Sequence, residues 1–143
     1  MNKAASQTSI VVNNIHQQII NSYFSHLNDR NFEEVANLFS SQGYLYPPFE
    51  TEICGRAAIR RYLEAEATGI QAFPQSINVQ SNPAGYIFNE DSQISYQVMG
   101  YVKTSFFTIN VGWLIQLNSE QEIVSVEVKL LADLQELLRL KVS

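Results

Sequence analysis

Two side chains in this sequence are equipped to hold a polar ligand atom inside an apolar space. Tyr23 carries a phenolic O–H and Trp113 an indole N–H. Both fall on apolar faces, Tyr23 in a stretch of helical period and Trp113 in a stretch of period two. Buried tyrosine and tryptophan donors take an acceptor. Nearby backbone, as in an ordinary core, and the carbonyl of a bound molecule both meet that need, and the residue pattern leaves the two open. The remaining reactive groups are sparse. Cys54 is the single cysteine, so neither an intrachain disulfide nor a cysteine-based metal site forms. With only Arg56 near it as an activating group, Cys54 reads as a small buried apolar side chain. A bridge between two copies under oxidation is the lesser reading. His16 and His26 do not stand at ligand spacing. Asp29, Asp91 and Asp133 fall in turns or a cap, and no Ser/His/Asp set is visible.

The elements that must position Tyr23 and Trp113 follow from hydrophobic period. Ile15, Ile19, Ile20, Tyr23, Phe24 and Leu27 give a helix one apolar face, and Asn28-Asp29 ends it. A short helix is expected from Asn31 to Phe39, with Phe32, Val35, Leu38 and Phe39 inward. Tyr44-Leu45-Tyr46 reads as a short strand that Pro47-Pro48 stops. Gly55 precedes a third helix, Arg56 to Thr68, whose apolar stripe is Ala58, Ile59, Tyr62 and Leu63, with Gly69 as its cap. Beyond Gly69 the period becomes two. Three strands are predicted, carrying Ile94 to Val102, Phe107 to Leu117 and Val124 to Leu130. A closing helix from Leu134 to Leu140 takes Asp133 as its cap and Glu136 as the partner in a capping box.

Helices followed by antiparallel strands mean an α+β fold. Three helices against a strongly curved sheet make a cone with room for an apolar ligand. The chain of 143 residues is the size of one domain, expected over residues 13–143 behind a flexible stretch at 1–12. Net charge of −5 argues against nucleic acid, since neutralising phosphates takes clustered Lys and Arg. It argues less strongly against an anionic membrane surface. No apolar run approaches a membrane span and the N-terminus lacks a signal-peptide pattern, so a soluble, cytoplasmic protein is expected.

The stretch YFSHLNDRNFEEVANLFSSQGYLYPPFETEICGRAAIRRYL carries Tyr23, Leu27-Asn28, Leu38-Phe39, Pro47-Pro48-Phe49 and Ile53-x-Gly55 in one register. With NVGWLIQLN (110–118) and LLADLQELL (130–138), it resembles the C-terminal domain of the orange carotenoid protein family of cyanobacteria, over residues 13–140. The resemblance implies a nuclear-transport-factor-2-like fold, helices on a curved antiparallel sheet, standing without the helical domain that precedes it in full-length members. It implies a ketocarotenoid ligand, canthaxanthin or echinenone, with no metal and no enzyme activity. Tyr23 and Trp113 match the family's two donors to the carotenoid carbonyl. Cys54, Ile70, Ala72 and Ile115 match apolar positions lining the cavity near the ring. The implied partners are a second copy when loaded, a helical carotenoid protein as recipient, and a membrane met in passing; the implied roles are carotenoid transfer and photoprotection by quenching singlet oxygen. Glu66 and Phe106 match positions that meet the helical domain, while Met99 and Tyr101 suit an interface on the open sheet face.

Two departures bear on this. The loop before Trp113 is shorter than in full-length members. Lys129 replaces an acid, and alternation leaves open whether it faces the cavity or the opposite side. Two other functions compete: a cone-fold isomerase or dehydratase, and a non-catalytic dimerisation or adaptor module. Isomerases of this fold place a general base in the strand after the second helix, where this chain has Tyr46, Pro47 and Pro48. None of those is a base at neutral pH.

Overall fold

The computed structural model describes residues 14–80 and 93–131. Helix α1 spans Asn14–Asn28 and buries His16, Ile20, Tyr23, Phe24 and Leu27. Ile15, expected on that face, is 52% exposed. The apolar stripe is thus narrower than the sequence suggests, and His16 occupies part of it. Helix α2 is a shorter turn, Phe32–Asn37, and its first turn carries Glu33 and Glu34, which favour a helix N-terminus. Leu38 caps it, and Phe39, expected at its end, instead opens strand β1, Phe39–Tyr46. Strand β2 is the two-residue Ile53–Cys54. Gly55 follows at φ 95, a conformation that favours glycine, and its N–H donates to the Gly43 carbonyl at 2.9 Å. That turn launches helix α3, Arg56–Glu66. Strands β3 (Gln71–Val79), β4 (Ile94–Lys103), β5 (Thr108–Leu117) and β6 (Ile123–Leu131) follow.

The strands form one curved sheet in the order β2-β1-β6-β5-β4-β3, with the helices packed on it. Every pair is antiparallel except β1 with β6, which is parallel. Strand β3 is the element the sequence reading leaves unassigned. Pro74 lies in its middle, where a central strand would lose a ladder bond. It is tolerated because β3 is an edge strand, and the register slips between Pro74 and Ser76. Opposite the slip stands Gly100, where a Cβ would lie 2.2 Å from the Phe73 carbonyl oxygen. The close approach of the two backbones there therefore requires glycine.

Side chains pointing towards the helices make the core: Tyr96 and Val98 from β4, Val111, Trp113 and Ile115 from β5, Val126 from β6. Each large apolar side chain so buried contributes roughly 1.5–3 kcal/mol. Two polar clamps fix the helices on this sheet. Asn28, closing α1, donates from Nδ2 to the Ala72 carbonyl at 2.9 Å and accepts from the Ala72 N–H at 2.8 Å. Arg56 Nε donates to the Phe39 carbonyl at 2.8 Å, where β1 bulges against β6. The expected terminal helix, its Asp133 cap and the N-terminal stretch lie outside the described residues.

Candidate functional site

A cavity of about 270 Å³ opens between α1, α3 and the concave face of the sheet. Leu27, Leu63, Ile70, Val111 and Val128 make most of its wall apolar. Tyr23 enters from α1 and Trp113 from β5, so the structure brings the two sequence-derived donors to one space. Tyr23 is 2% exposed and Trp113 3%. The ring of Phe24 stands edge-on to both, with centroids 5.1 Å from Tyr23 and 4.8 Å from Trp113. One side chain thus holds both donors in orientation. Such edge-to-face pairs add about 0.5–1.5 kcal/mol each beyond area burial. Phe24 is a positioning residue that the sequence reading counted only as core.

Neither the Tyr23 phenol nor the Trp113 N–H has a hydrogen-bond partner among the described residues, and neither is a sealed polar atom. Of the two sources of an acceptor, the backbone of the described residues is therefore not used. Burial pushes the Tyr23 phenol far above the ordinary tyrosine range, with neighbouring Tyr62 as the lesser cause. It is a protonated donor throughout the accessible pH range. Tyr62, from α3, also lines the cavity. Its phenol is raised too, first by burial and then by Glu50 and Glu66. Helical periodicity placed Tyr62 on an apolar stripe, and its hydroxyl was the overlooked signal.

Ile70 and Glu66 line the cavity, Glu66 as an exposed residue. Ala72 and Ile115 do not: at 1% and 0% exposure they are packed in the core beside it. Cys54 is a correction. It is exposed on edge strand β2, registered against Tyr44, and away from the cavity. Strand β2 is the margin of the sheet, and no described strand lies beyond it to bury the thiol. There Cys54 is the main cause of a raised Tyr44 phenol. Pro47 and Pro48, which follow the end of β1, form part of the cavity wall.

Lys129 points away from the cavity. Its ammonium lies 3.8 Å from the Glu127 carboxylate, and alternation puts both opposite the cavity-lining Val128 and Leu130. Met99 and Tyr101 are half-buried on that same outer face, Tyr101 stacked on Phe73 at 4.9 Å. Phe106 is 89% exposed in the β4–β5 turn, its N–H donating to Thr104 Oγ1 at 3.1 Å. Thr104 itself lines the cavity, so that turn borders the opening. No group of three or more His, Cys, Asp or Glu among the described residues is placed to hold a metal ion. No described helix is long and apolar enough to cross a membrane.

No protein-family model matches the chain. It is 32% identical to the orange carotenoid-binding protein of Synechocystis over 138 residues, covering 94% of this chain and 41% of that protein. The chain thus spans about two fifths of the length of the curated relatives it matches. In structure it resembles the Anabaena (Nostoc) orange carotenoid protein binding canthaxanthin, with a TM-score of 0.71 and 30% identity over 90% of this chain and 39% of that one. An NTF2-like protein of unknown function from Cytophaga hutchinsonii gives a TM-score of 0.58 at 14% identity, over 86% of this chain and 94% of that one. At that distance the likeness shows the fold alone. The same holds for the epoxide hydrolase/cyclase-like enzyme SalBIII, with a TM-score of 0.59 at 18% identity over 80% of this chain and 89% of that one.

Proposed function

We propose that this chain, homologous to the orange carotenoid protein along that protein's C-terminal NTF2-like domain, binds a ketocarotenoid by one end. The observation that carries the reading is the pair of donors, Tyr23 and Trp113, that line one apolar cavity and have no hydrogen-bond partner among the described residues. A ring ketone supplies what the site lacks, an acceptor oxygen on a hydrocarbon body. Its two lone pairs accept from both donors. Those bonds draw electron density towards the oxygen and favour polarised forms of the conjugated chain, so the bound pigment absorbs further to the red.

At about 270 Å³ the cavity lies just below the usual range for ligand pockets, roughly 300–1,000 Å³. A whole polyene is longer than such a space, and the part outside needs cover. A second copy with the other ring in its own cavity provides it, and the loaded protein is then a homodimer. Phe106, held out beside the opening, is an apolar contact for that copy, for a helical carotenoid protein receiving the pigment, or for a membrane that supplies it. Quenching of singlet oxygen follows from the bound polyene itself.

The enzyme alternative needs a base within reach of substrate. Among the described residues lining the cavity, the carboxylate is the exposed Glu66, and burial keeps Tyr23 protonated. This favours binding over proton abstraction. The test is titration of the pigment-free protein with canthaxanthin, alongside Trp113→Phe. The expected result is a red-shifted complex whose band moves back to the blue and whose affinity falls about 2–12-fold in the variant, the worth of one neutral hydrogen bond. An identical spectrum and affinity in the variant would remove Trp113 from the site.

A further inference from the structure

Beside the cavity lies a shallow depression of about 390 Å³ with a different character. It shares Ile70 and Thr104 with the cavity, so the two open next to each other. Arg30 and Lys103 give it positive charge, and no carboxylate is among the described residues lining it. Neither cation is in an ion pair among the described residues, although the chain carries 14 Asp and Glu against 9 Lys and Arg. Arg30 is anchored at a backbone φ of 62: its Nε donates to the Thr68 carbonyl at 2.9 Å and its Nη1 to the Asn28 carbonyl at 2.8 Å. Those bonds use two of the five guanidinium N–H donors and leave the others for an acceptor. The Lys103 ammonium stands 5.9 Å from the centre of the Phe73 ring, which lines the same depression. Two aromatic tips flank this end of the molecule. Phe106 follows Ser105, a lining residue of the depression, and is 89% exposed. Phe49 follows the cavity-lining Pro48 and is 92% exposed.

We propose that this end of the molecule docks on anionic lipid, with Arg30 and Lys103 taking the headgroup phosphate and Phe106 entering the acyl boundary. The proposal holds whatever fills the cavity. Charge complementarity is its first ground: a phosphodiester oxygen pair meets the fork of an anchored Arg and the point charge of a Lys. The acids elsewhere on the chain count for less, because charges more than about 10 Å apart are largely screened at 0.1 M salt. A nucleic acid would call for many more cations than these two. The aromatic tips are the second ground. Phe49 and Phe106 project from separate loops, one after β1 and one between β4 and β5. A protein partner needs a contiguous, complementary patch of about 800 Å² on each side. A fluid lipid layer takes up separate protruding rings without a matching surface. Because Thr104 borders both spaces, a headgroup held in the depression sets the cavity opening against the bilayer.

The experiment measures partition of the pigment-free protein onto vesicles of phosphatidylcholine alone and of an equal mixture with phosphatidylglycerol. It compares the wild type with Lys103→Gln, Lys129→Gln and Phe106→Ser. The two lysine changes alter net charge equally, but Lys129 lies outside the depression and pairs with Glu127. All three residues are exposed, so the exchanges leave the core alone. The wild type should favour the anionic vesicles although its net charge of −5 opposes that. Salt at about 1 M, which cuts the screening length to about 3 Å, should abolish the preference. Lys103→Gln should lower binding to anionic vesicles about fivefold and leave neutral ones unchanged, while Lys129→Gln should stay within about twofold on both. Phe106→Ser should weaken binding to both vesicles about tenfold or more. A wild type that avoids anionic vesicles, or treats both alike, overturns the proposal. So does an equal response to the two lysine changes, or a Phe106→Ser protein that binds as the wild type does. Binding of inorganic phosphate that depends on Lys103, without partition onto either vesicle, overturns it as well and makes the depression a site for a soluble anion. None of these outcomes bears on ketocarotenoid binding, since no pigment is present.

Discussion

Replacing Tyr23 by Phe should act with opposite signs on the empty and the loaded protein. In the empty protein the Tyr23 hydroxyl faces the cavity with no hydrogen-bond partner among the described residues. Leaving such a group unsatisfied costs about 1–3 kcal/mol, less whatever cavity water returns. Phe keeps the ring contacts with Phe24 and Phe39 and removes that cost. The empty variant should therefore be as stable as the wild type or more stable, by up to about 1 kcal/mol, a rise of roughly 3–6 °C in melting temperature. In the loaded protein the same change deletes a donor to the ligand carbonyl. Affinity should fall by about 0.5–1.5 kcal/mol, or roughly 2–12-fold, with the band moving to the blue. Urea unfolding of the pigment-free proteins measures the first effect and pigment titration the second. A clear loss of stability in the empty variant, with affinity untouched, would mean that the hydroxyl serves the fold and not a ligand.

Three further expectations concern the frame that holds the site. Gly100→Ala puts a methyl group against the Phe73 carbonyl, which as backbone cannot move aside cheaply, so urea unfolding should show a loss of about 1–3 kcal/mol or more; an unchanged midpoint would contradict the packing of β3 on β4. Asn28→Ala strands the N–H and carbonyl of Ala72, a residue 1% exposed, and should cost about 2–4 kcal/mol by the same measurement; a loss under about 0.5 kcal/mol would mean the clamp is solvated. His16 is buried beside Tyr96, with Nδ1 2.6 Å from the phenolic oxygen, and burial lowers its pKa below 6.5 despite a hydrogen bond with Gln121 that raises it. The unfolded chain then takes up the proton first as pH falls. Its contribution to stability is therefore complete above pH 6.5 and lost as pH drops from there towards the folded pKa. His16→Gln should flatten that part of the stability profile, and a profile left unchanged would place the pH dependence elsewhere.

Much of the frame is legible because it rests on period. The repeat from Ile20 to Leu27 marks α1, and the alternation through Trp113 marks β5 and gives its buried face. Strand β3 escapes because Pro74 and the register slip break its pattern, and its tolerance for proline depends on an edge position that only the assembled sheet defines. The parallel β1–β6 pairing is likewise a matter of topology: Phe39 meets Ile123 from the far end of the chain. At the site, residue type indicates a donor but not whether its acceptor is missing. Tyr23 and Trp113 could be singled out by resemblance, while Tyr62 looked like any aromatic on a helical stripe. Cys54 went the other way, since a small apolar side chain beside a turn reads as buried until the sheet ends there.

The most direct test of the central claim is the visible absorption spectrum of the protein purified from cells that make canthaxanthin or echinenone. The account predicts a coloured protein whose band lies well to the red of the free pigment, as expected when Tyr23 and Trp113 both donate to the ring carbonyl. A colourless protein from pigment-rich cells would contradict it, leaving an NTF2-like fold whose paired donors serve some other acceptor.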